Sequence, residues 1–322
     1  LRVGLGGAAI GNLFAPVSDQ DARRLLDTAW SDGCRSFDTA PHYGHGLSER
    51  RVGDALRPHP RGDWCLSSKV GRLLKPVAHV PREQFGYVDG LPFVQQWDFS
   101  RAGIRRSIED SLQRLGLARL DIAYLHDIDV GTHGERAAEI LRQVLDEALP
   151  ALRSLQEEGL IGQIGLGVND HQVVLQIIAQ ASIDVVLLAG RYTLLDQAAL
   201  PQLLPECQRR GIRLVLGGLY NSGLLALGAR AGSGTFNYRP ADRCWLERTA
   251  RIESICEAHQ VPLRAAALQF VQAHPAADLL LLGSRDVDEW RDALAMLRRP
   301  IPPEFWLALR RAGLLPEEAP TP

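Results

Sequence analysis

Residues 101–127 read RAGIRRSIEDSLQRLGLARLDIAYLHD, and the order of the two halves decides the fold. The first half, 101–115, repeats its apolar positions at helical period between arginines and carboxylates. The second, 120–126, is a short, nearly continuous apolar run that ends on His126. A run without polar alternation suits a strand buried on both faces, as in a parallel sheet.

The same unit recurs outward in both directions. Strand-like runs fall at 2–5, 34–38, 64–69, 120–126, 161–168, 185–189, 213–217 and 279–283. Helix-period segments alternate with them at 18–32, 47–57, 101–115, 137–158, 171–181, 197–210, 265–273 and 287–297. This alternation predicts an α/β fold, a (β/α)8 TIM barrel, and the length suits one such domain over 1–322. Ser18 is placed to cap the first helix, whereas Pro201 and Pro205 should shorten or break the segment 197–210. Two irregular stretches, 74–98 and 219–242, follow strands directly and so belong at the C-terminal face, where long loops commonly bind ligands. The tail 316–322, PEEAPTP, is expected to be disordered.

Composition narrows the function. Apolar residues at 46 % and charged residues at 23 % are ordinary for a folded domain, and the formal charge of -2 gives no reason to expect nucleic acid or an anionic membrane as partner. The five cysteines, Cys34, Cys65, Cys207, Cys244 and Cys256, are scattered and never form a C-x-x-C pair, which suits a reducing cytoplasm and neither a disulfide framework nor a zinc site. No apolar stretch is long enough for a transmembrane helix. Lysine occurs only at Lys69 and Lys75 among 36 basic residues. The ordinary reading is coding bias, but each surviving lysine is a candidate for a site that needs a compact cation with a tunable pKa, where arginine would not serve.

Four polar residues stand at or just past strand ends: Asp38, Tyr43 in PHYGHG, Lys69 and His126. Singly, each has an ordinary structural reading: a turn cap, a packing aromatic, a solvated amine and a core histidine. A parallel barrel, however, gathers its strand ends at one mouth. There they make a chemical set. An ammonium beside a phenol lowers its pKa, a carboxylate orients the ammonium, and a neutral imidazole binds a carbonyl or hydroxyl oxygen. Such a set moves a proton at an oxygen while a hydride moves at its carbon.

The segment 33–53, GCRSFDTAPHYGHGLSERRVG, is similar to the signature of the aldo-keto reductase superfamily, with Gly33, Arg35, Phe37, Asp38, Thr39, Ala40, Glu49 and Gly53 at the expected spacing. The likeness continues through SSK at 67–69, through 107–127, through GLIGQIGLGVND at 159–170 and through LLLGSRDVDEW at 280–290. Within that superfamily the opening GLGGAAIGNLF and the block DTAPHYGHGLSERRVGDAL most resemble aldose dehydrogenases acting on L-fucose and D-threo-aldoses, with pyridoxal 4-dehydrogenase as a neighbour. The resemblance implies an NAD(P)-dependent oxidoreductase that oxidises an aldose at C1 to the lactone, with Asp38, Tyr43, Lys69 and His126 as catalytic tetrad. Its alternatives are a pyridoxal 4-dehydrogenase or a general aldehyde reductase. It further implies cofactor contacts at Gly7, Ala8, Asp38, Asn169, Asp170, Gly218, Leu219, Asn221, Gly223, Gly283, Ser284, Arg285 and Glu289. A small sugar or aldehyde would be lined by Tyr43, His45, Trp97 and His126, with Phe99 and Phe236 close by.

The chain departs from the family at three cofactor positions. Asp170 replaces an amide, Ala189 a glutamine and Gly217 a stacking aromatic, so Tyr192 or Tyr220 would have to help hold the nicotinamide. Glu289, where NADP-preferring relatives often carry arginine, makes NAD the favoured cofactor over NADP. Two rival readings are a metal-dependent barrel hydrolase using Asp38, His42, His45 and His126, and a cofactor-binding regulatory subunit. The glycines of GLGGAAIG do not make a Rossmann site, since Pro16 and Ser18 interrupt the strand-turn-helix unit.

Overall fold

A computed structural model describes residues 2–229 and 234–322. Eight parallel strands close into a barrel: β1 (Val3–Gly6), β2 (Ser36–Asp38), β3 (Cys65–Val70), β4 (Leu120–His126), β5 (Ile161–Val168), β6 (Val185–Ala189), β7 (Arg213–Gly217) and β8 (Ala277–Gly283). Each pairs with its sequence neighbours, and β8 closes on β1 through Val3–Leu280 to Gly6–Gly283. Ile122, Tyr124, Val185, Leu187, Val215, Leu279 and Leu281 form one packed cluster inside. The larger apolar layer lies between the strands and the surrounding helices. These are the continuous apolar runs of the sequence, buried on both faces.

The expected helices follow their strands. Ser18 does cap Asp19–Ser31, its side chain accepting from the Asp21 amide at 3.0 Å. The segment 197–210 yields a helix only over Leu203–Arg210, past Pro201 and with Pro205 in its first turn, where a missing N–H costs little. The segment 137–158 is split by a wide π turn at Val144–Ala148, just before Pro150, which cannot donate to the preceding turn.

The signature residues of 33–53 bind neighbouring elements together. Glu49, fully buried, accepts from Ser68 Oγ at 2.8 Å and Arg114 Nε at 2.5 Å, joining helix Leu47–Leu56 to β3 and to helix Arg101–Leu115. Gly53 lets the two helices touch: a Cβ there would collide with the Leu115 carbonyl.

Besides two helices that the sequence reading lacks, Arg243–Ala258 and Pro303–Arg311, the structure differs from it in three stretches. The stretch 74–98 is not irregular. Arg72–Pro76 pairs antiparallel with Phe93–Trp97, and a smaller hairpin, Glu83–Gln84 with Tyr87–Val88, folds back to meet Leu13. In 219–242, Leu224–Leu227 is helical and Thr235–Phe236 pairs with Arg239–Pro240, while residues 230–233 of that stretch lie outside the described residues. The tail 316–322 is anchored: Ala319 is buried, and Arg310 Nη2 donates to the Ala319 carbonyl (2.8 Å) and Thr321 Oγ1 (3.1 Å). Among the described residues no helix is long and apolar enough to cross a membrane.

Candidate active site

Strands β2, β3 and β4 end side by side, so Asp38, Lys69 and His126 open on one mouth, and the loop after β2 brings Tyr43 over them. Lys69, 1 % exposed, donates from Nζ to Asp38 Oδ2 (2.6 Å) and to the Thr39 carbonyl (3.0 Å). Ser67 Oγ donates to the other carboxylate oxygen of Asp38 at 2.6 Å. Lys69 Nζ lies 4.6 Å from the centre of the Tyr43 ring, and the His126 ring stands edge-on to Tyr43 at 6.1 Å. The four residues thus share one small space.

Electrostatics assigns their protonation. Burial holds the His126 pKa well below its ordinary 6.5, and the positive charges of Arg72 and Lys69 add to this, so the imidazole is neutral at pH 7. Burial pushes the Tyr43 phenol well above 10, and the Asp38 carboxylate adds to the rise. The sequence argument expected Lys69 to bring the phenol below its ordinary value. Instead Lys69 is ion-paired with Asp38, and desolvation dominates at Tyr43. Tyr43 therefore carries its proton as the chain stands.

A second polar cluster completes the wall and was not legible as a motif. Arg72, buried just past β3, donates from Nη2 to Asp127 Oδ2 (2.6 Å) and from Nη1 to Gln95 Oε1 (2.9 Å). Gln95 Oε1 also meets His42 Nδ1 at 2.9 Å. Asp127 Oδ2 stands 3.4 Å from His126 Nε2, which ties this cluster to the first. Burial raises the Asp127 carboxyl despite the Arg72 partner. Arg72 was hidden among many arginines, and Gln95 lay in a stretch with no regular reading. The alternation of FVQQW, which puts Phe93, Gln95 and Trp97 on the inner side, was the available signal.

Other expected lining residues go elsewhere. His45 is fully enclosed near Phe85 and Tyr87, neither ring nitrogen has a partner among the described residues, and burial lowers its pKa to about 4. Trp97 stands behind Arg72, its ring centre 3.9 Å from the guanidinium carbon. Phe99 is buried beside Trp97, and Phe236 is buried on Trp245 with ring centres 4.2 Å apart. Tyr87, which the sequence reading passed over, stacks on Tyr43 with centres 6.0 Å apart; exposed Phe85 lies 5.9 Å from the His42 ring, and exposed Phe14 and Tyr238 lie 6.3 Å from each other.

The cofactor positions divide similarly. Asp170 is a helix cap, accepting from the Gln172 amide at 2.7 Å, which leaves Asn169 as the amide at the end of β5. Gly7 is glycine for packing: its N–H donates to the Asp38 carbonyl at 2.7 Å, and a Cβ would strike Ser48. Ala8 stays partly exposed beside it. Tyr192 is buried against Phe270 and His274, and its hydroxyl has no partner among the described residues. Tyr220 neighbours Asp292, Arg264 and Glu289, on the side of helix Val287–Met296. Ala189 and Gly217 pair at the ends of β6 and β7, leaving a side-chain-poor shelf. Beyond it run Gly218, Leu219, Asn221 and Gly223, and Gly283 ends β8 with open space where a Cβ would stand. Ser284 Oγ and Asn221 Oδ1 are buried without a partner among the described residues. Orphaned polar atoms along one rim of the mouth suit a polar ligand such as a dinucleotide. Asp38, with both oxygens engaged, faces Lys69 and Ser67.

Comparison with known proteins agrees with the barrel fold. The model of the aldo/keto reductase family matches residues 2–313. Pyridoxal 4-dehydrogenase of Microbacterium luteolum is 41 % identical, over 97 % of this chain and 94 % of that protein. D-threo-aldose 1-dehydrogenase of Pseudomonas sp is 38 % identical, over 98 % and 94 %. Among solved structures, an aldo-keto reductase of Bacillus halodurans in its holo form superposes with a TM-score of 0.72 at 24 % identity, over 99 % of this chain and 94 % of that one.

Proposed function

The chain belongs to the aldo/keto reductase family of NAD(P)H-using oxidoreductases, and from that premise we propose that it oxidises an aldose at C1 to the lactone, with Tyr43 as proton acceptor. The observation that carries this reading is the buried Lys69 ammonium, held at 2.6 Å by Asp38 and set 4.6 Å from the Tyr43 ring, with neutral His126 across the gap. Neutral His126 donates a hydrogen bond to the C1 oxygen and orients it. Tyr43, once deprotonated, takes the hydroxyl proton at Oη, and Lys69 stabilises the phenolate while that proton moves. A bound nicotinamide supplies the acceptor for the hydride leaving C1. Because burial favours the phenol, the oxidative direction gains from rising pH.

Asn169, Asn221, Ser284 and the backbone around Gly218 and Gly223 would hold the dinucleotide. NAD is favoured over NADP. Arg285, the cation nearest a 2′-phosphate, donates from Nε and Nη2 to Glu289 Oε1 at 3.0 and 2.7 Å, and its amide donates to Glu289 Oε2 at 2.9 Å. A 2′-phosphate would have to displace that carboxylate, whereas a ribose hydroxyl can donate to it. A flat pyridine aldehyde is the second reading, favoured by the Tyr43–Tyr87 stack and the exposed aromatics beside it.

The test is a turnover screen of L-fucose, D-arabinose, L-galactose, L-xylose and pyridoxal with each nucleotide. An aldose with NAD should give the highest kcat/KM, and Glu289→Arg should narrow the gap between nucleotides. A pyridoxal rate far above every sugar selects the second reading. A strong NADP preference overturns the role given to Glu289.

A further inference from the structure

His42, next to Tyr43 in sequence, is not one of the four reacting residues, yet its ring centre lies 6.2 Å from that of Tyr43 and 5.7 Å from that of His126. Its tautomer can be derived. Arg72 has donors only, so the Gln95 atom that meets Arg72 Nη1 at 2.9 Å must be the oxygen. The same oxygen meets His42 Nδ1 at 2.9 Å, so Nδ1 must carry the proton. The orientation holds even though it leaves Gln95 Nε2 buried with no partner among the described residues. Burial and the Arg72 charge keep the ring from taking a second proton at neutral pH. His42 Nε2 is therefore a bare lone pair, and it accepts no hydrogen bond among the described residues.

The charge of Asp127 favours the complementary tautomer at His126. Asp127 Oδ2, already accepting from Arg72, stands 3.4 Å from His126 Nε2 without accepting a hydrogen bond from it, which favours a proton on that nitrogen and leaves the N–H free for a substrate oxygen. The site thus sets a donor imidazole and an acceptor imidazole side by side around Tyr43.

We propose that His42 is a specificity residue whose Nε2 accepts a hydrogen bond from the substrate hydroxyl on the carbon next to the reacting carbon, which in an aldose is the 2-hydroxyl. This deepens the aldose reading and rests on it. A reacting oxygen held between Tyr43 and His126 leaves the neighbouring hydroxyl facing the third ring. A simple aldehyde leaves that acceptor unmatched, and a site built to bond a hydroxyl rejects the analogue that lacks it. Gln95 and Arg72 act through His42 as positioning residues.

The experiment compares L-fucose with 2-deoxy-L-fucose in the native protein and in His42→Phe, His42→Gln and Gln95→Leu. The native protein should favour the hydroxylated sugar by about tenfold or more in kcat/KM. In His42→Phe that ratio should collapse toward one, whatever the absolute rates. His42→Gln, whose amide oxygen can reach the same place, should restore part of it, and Gln95→Leu should lower it by freeing the tautomer. A native ratio near one, or a ratio unchanged in His42→Phe, overturns the proposal. Imidazole nitrogen NMR shifts of His42 test the tautomer without turnover: Nδ1 should be protonated and Nε2 bare, and the reverse overturns the proposal for any substrate. Turnover of neither sugar by the native protein, with the expected tautomer present, would instead overturn the aldose reading and with it the assignment to C2.

Discussion

At the residue scale, the chemistry turns on one buried proton. Tyr43 is half-buried with carboxylates close by, and desolvation together with the Asp38 charge makes its phenol hold its proton more tightly than a free tyrosine. Lys69 is the cation set to oppose this, and Asp38 holds it inside the barrel by an ion pair at 2.6 Å. Tyr43→Phe should therefore keep dinucleotide binding, read by fluorescence titration, while turnover falls about 10²–10⁴-fold, the usual worth of a general acid–base group. Near-native turnover would remove Tyr43 from the mechanism. Lys69→Met should displace the alkaline rise of oxidative kcat/KM to higher pH, because the phenolate loses its neighbouring cation. Profiles that coincide would show that Lys69 does not act on Tyr43. Lys69→Arg should not rescue activity, since a planar fork cannot occupy the space between Asp38, the Thr39 carbonyl and the Tyr43 ring.

At the element scale, the helix after β2 is more than a spacer. Glu49 fixes it from below through Ser68 and Arg114, and Gly53 lets it rest on the carbonyl of Leu115. Gly→Ala in an open helix interior stabilises by up to about 1 kcal/mol. Gly53→Ala should do the reverse, costing roughly 1–3 kcal/mol through forced separation of the helices, visible as a lowered Tm. An unchanged or raised Tm would mean that the two helices part freely. Which elements could be read beforehand follows from the same physics. Strands β4 to β7 were legible to the residue because they are apolar on both faces and a polar residue or glycine closes each run: His126, Asn169, Gly190 and Gly217. Helix Arg243–Ala258 was not, because it buries only Thr249, Ile252 and Cys256 and so shows a thin apolar stripe. In the site, Asp38, Tyr43, Lys69 and His126 were found because strand ends converge. Arg72 and Gln95 were missed because they come together through antiparallel pairing across residues 72–97, which no local period announces.

At the scale of the whole molecule, His42, His45, His126, His133 and His274 all have pKa values lowered mainly by burial. The unfolded chain takes up these protons near pH 6.5, the folded chain only at lower pH. Below about pH 6.5 the unfolded state therefore binds more protons, and stability falls by roughly 1 kcal/mol per pH unit for each histidine that stays neutral. Asp127, raised by burial, acts in the opposite sense and offsets part of one. Thermal scans should show a flat Tm from pH 8 to 7 and a drop of several degrees by pH 5. A Tm constant down to pH 5 would mean that these rings are protonated in the fold. The excursion 72–97 has a different bearing. Arg72 pairs with Trp97, and the Asp98 amide donates to the Gly71 carbonyl at 3.0 Å, so the chain departs from the barrel and rejoins it at one doorway. The four reacting residues lie outside that segment, while Arg72 and Gln95 lie within it. The orientation of His42 is thus set from a stretch of chain separate from the one that carries it and Tyr43. A graft at that doorway would exchange the residues that hold His42 in place while every strand of the barrel kept its register.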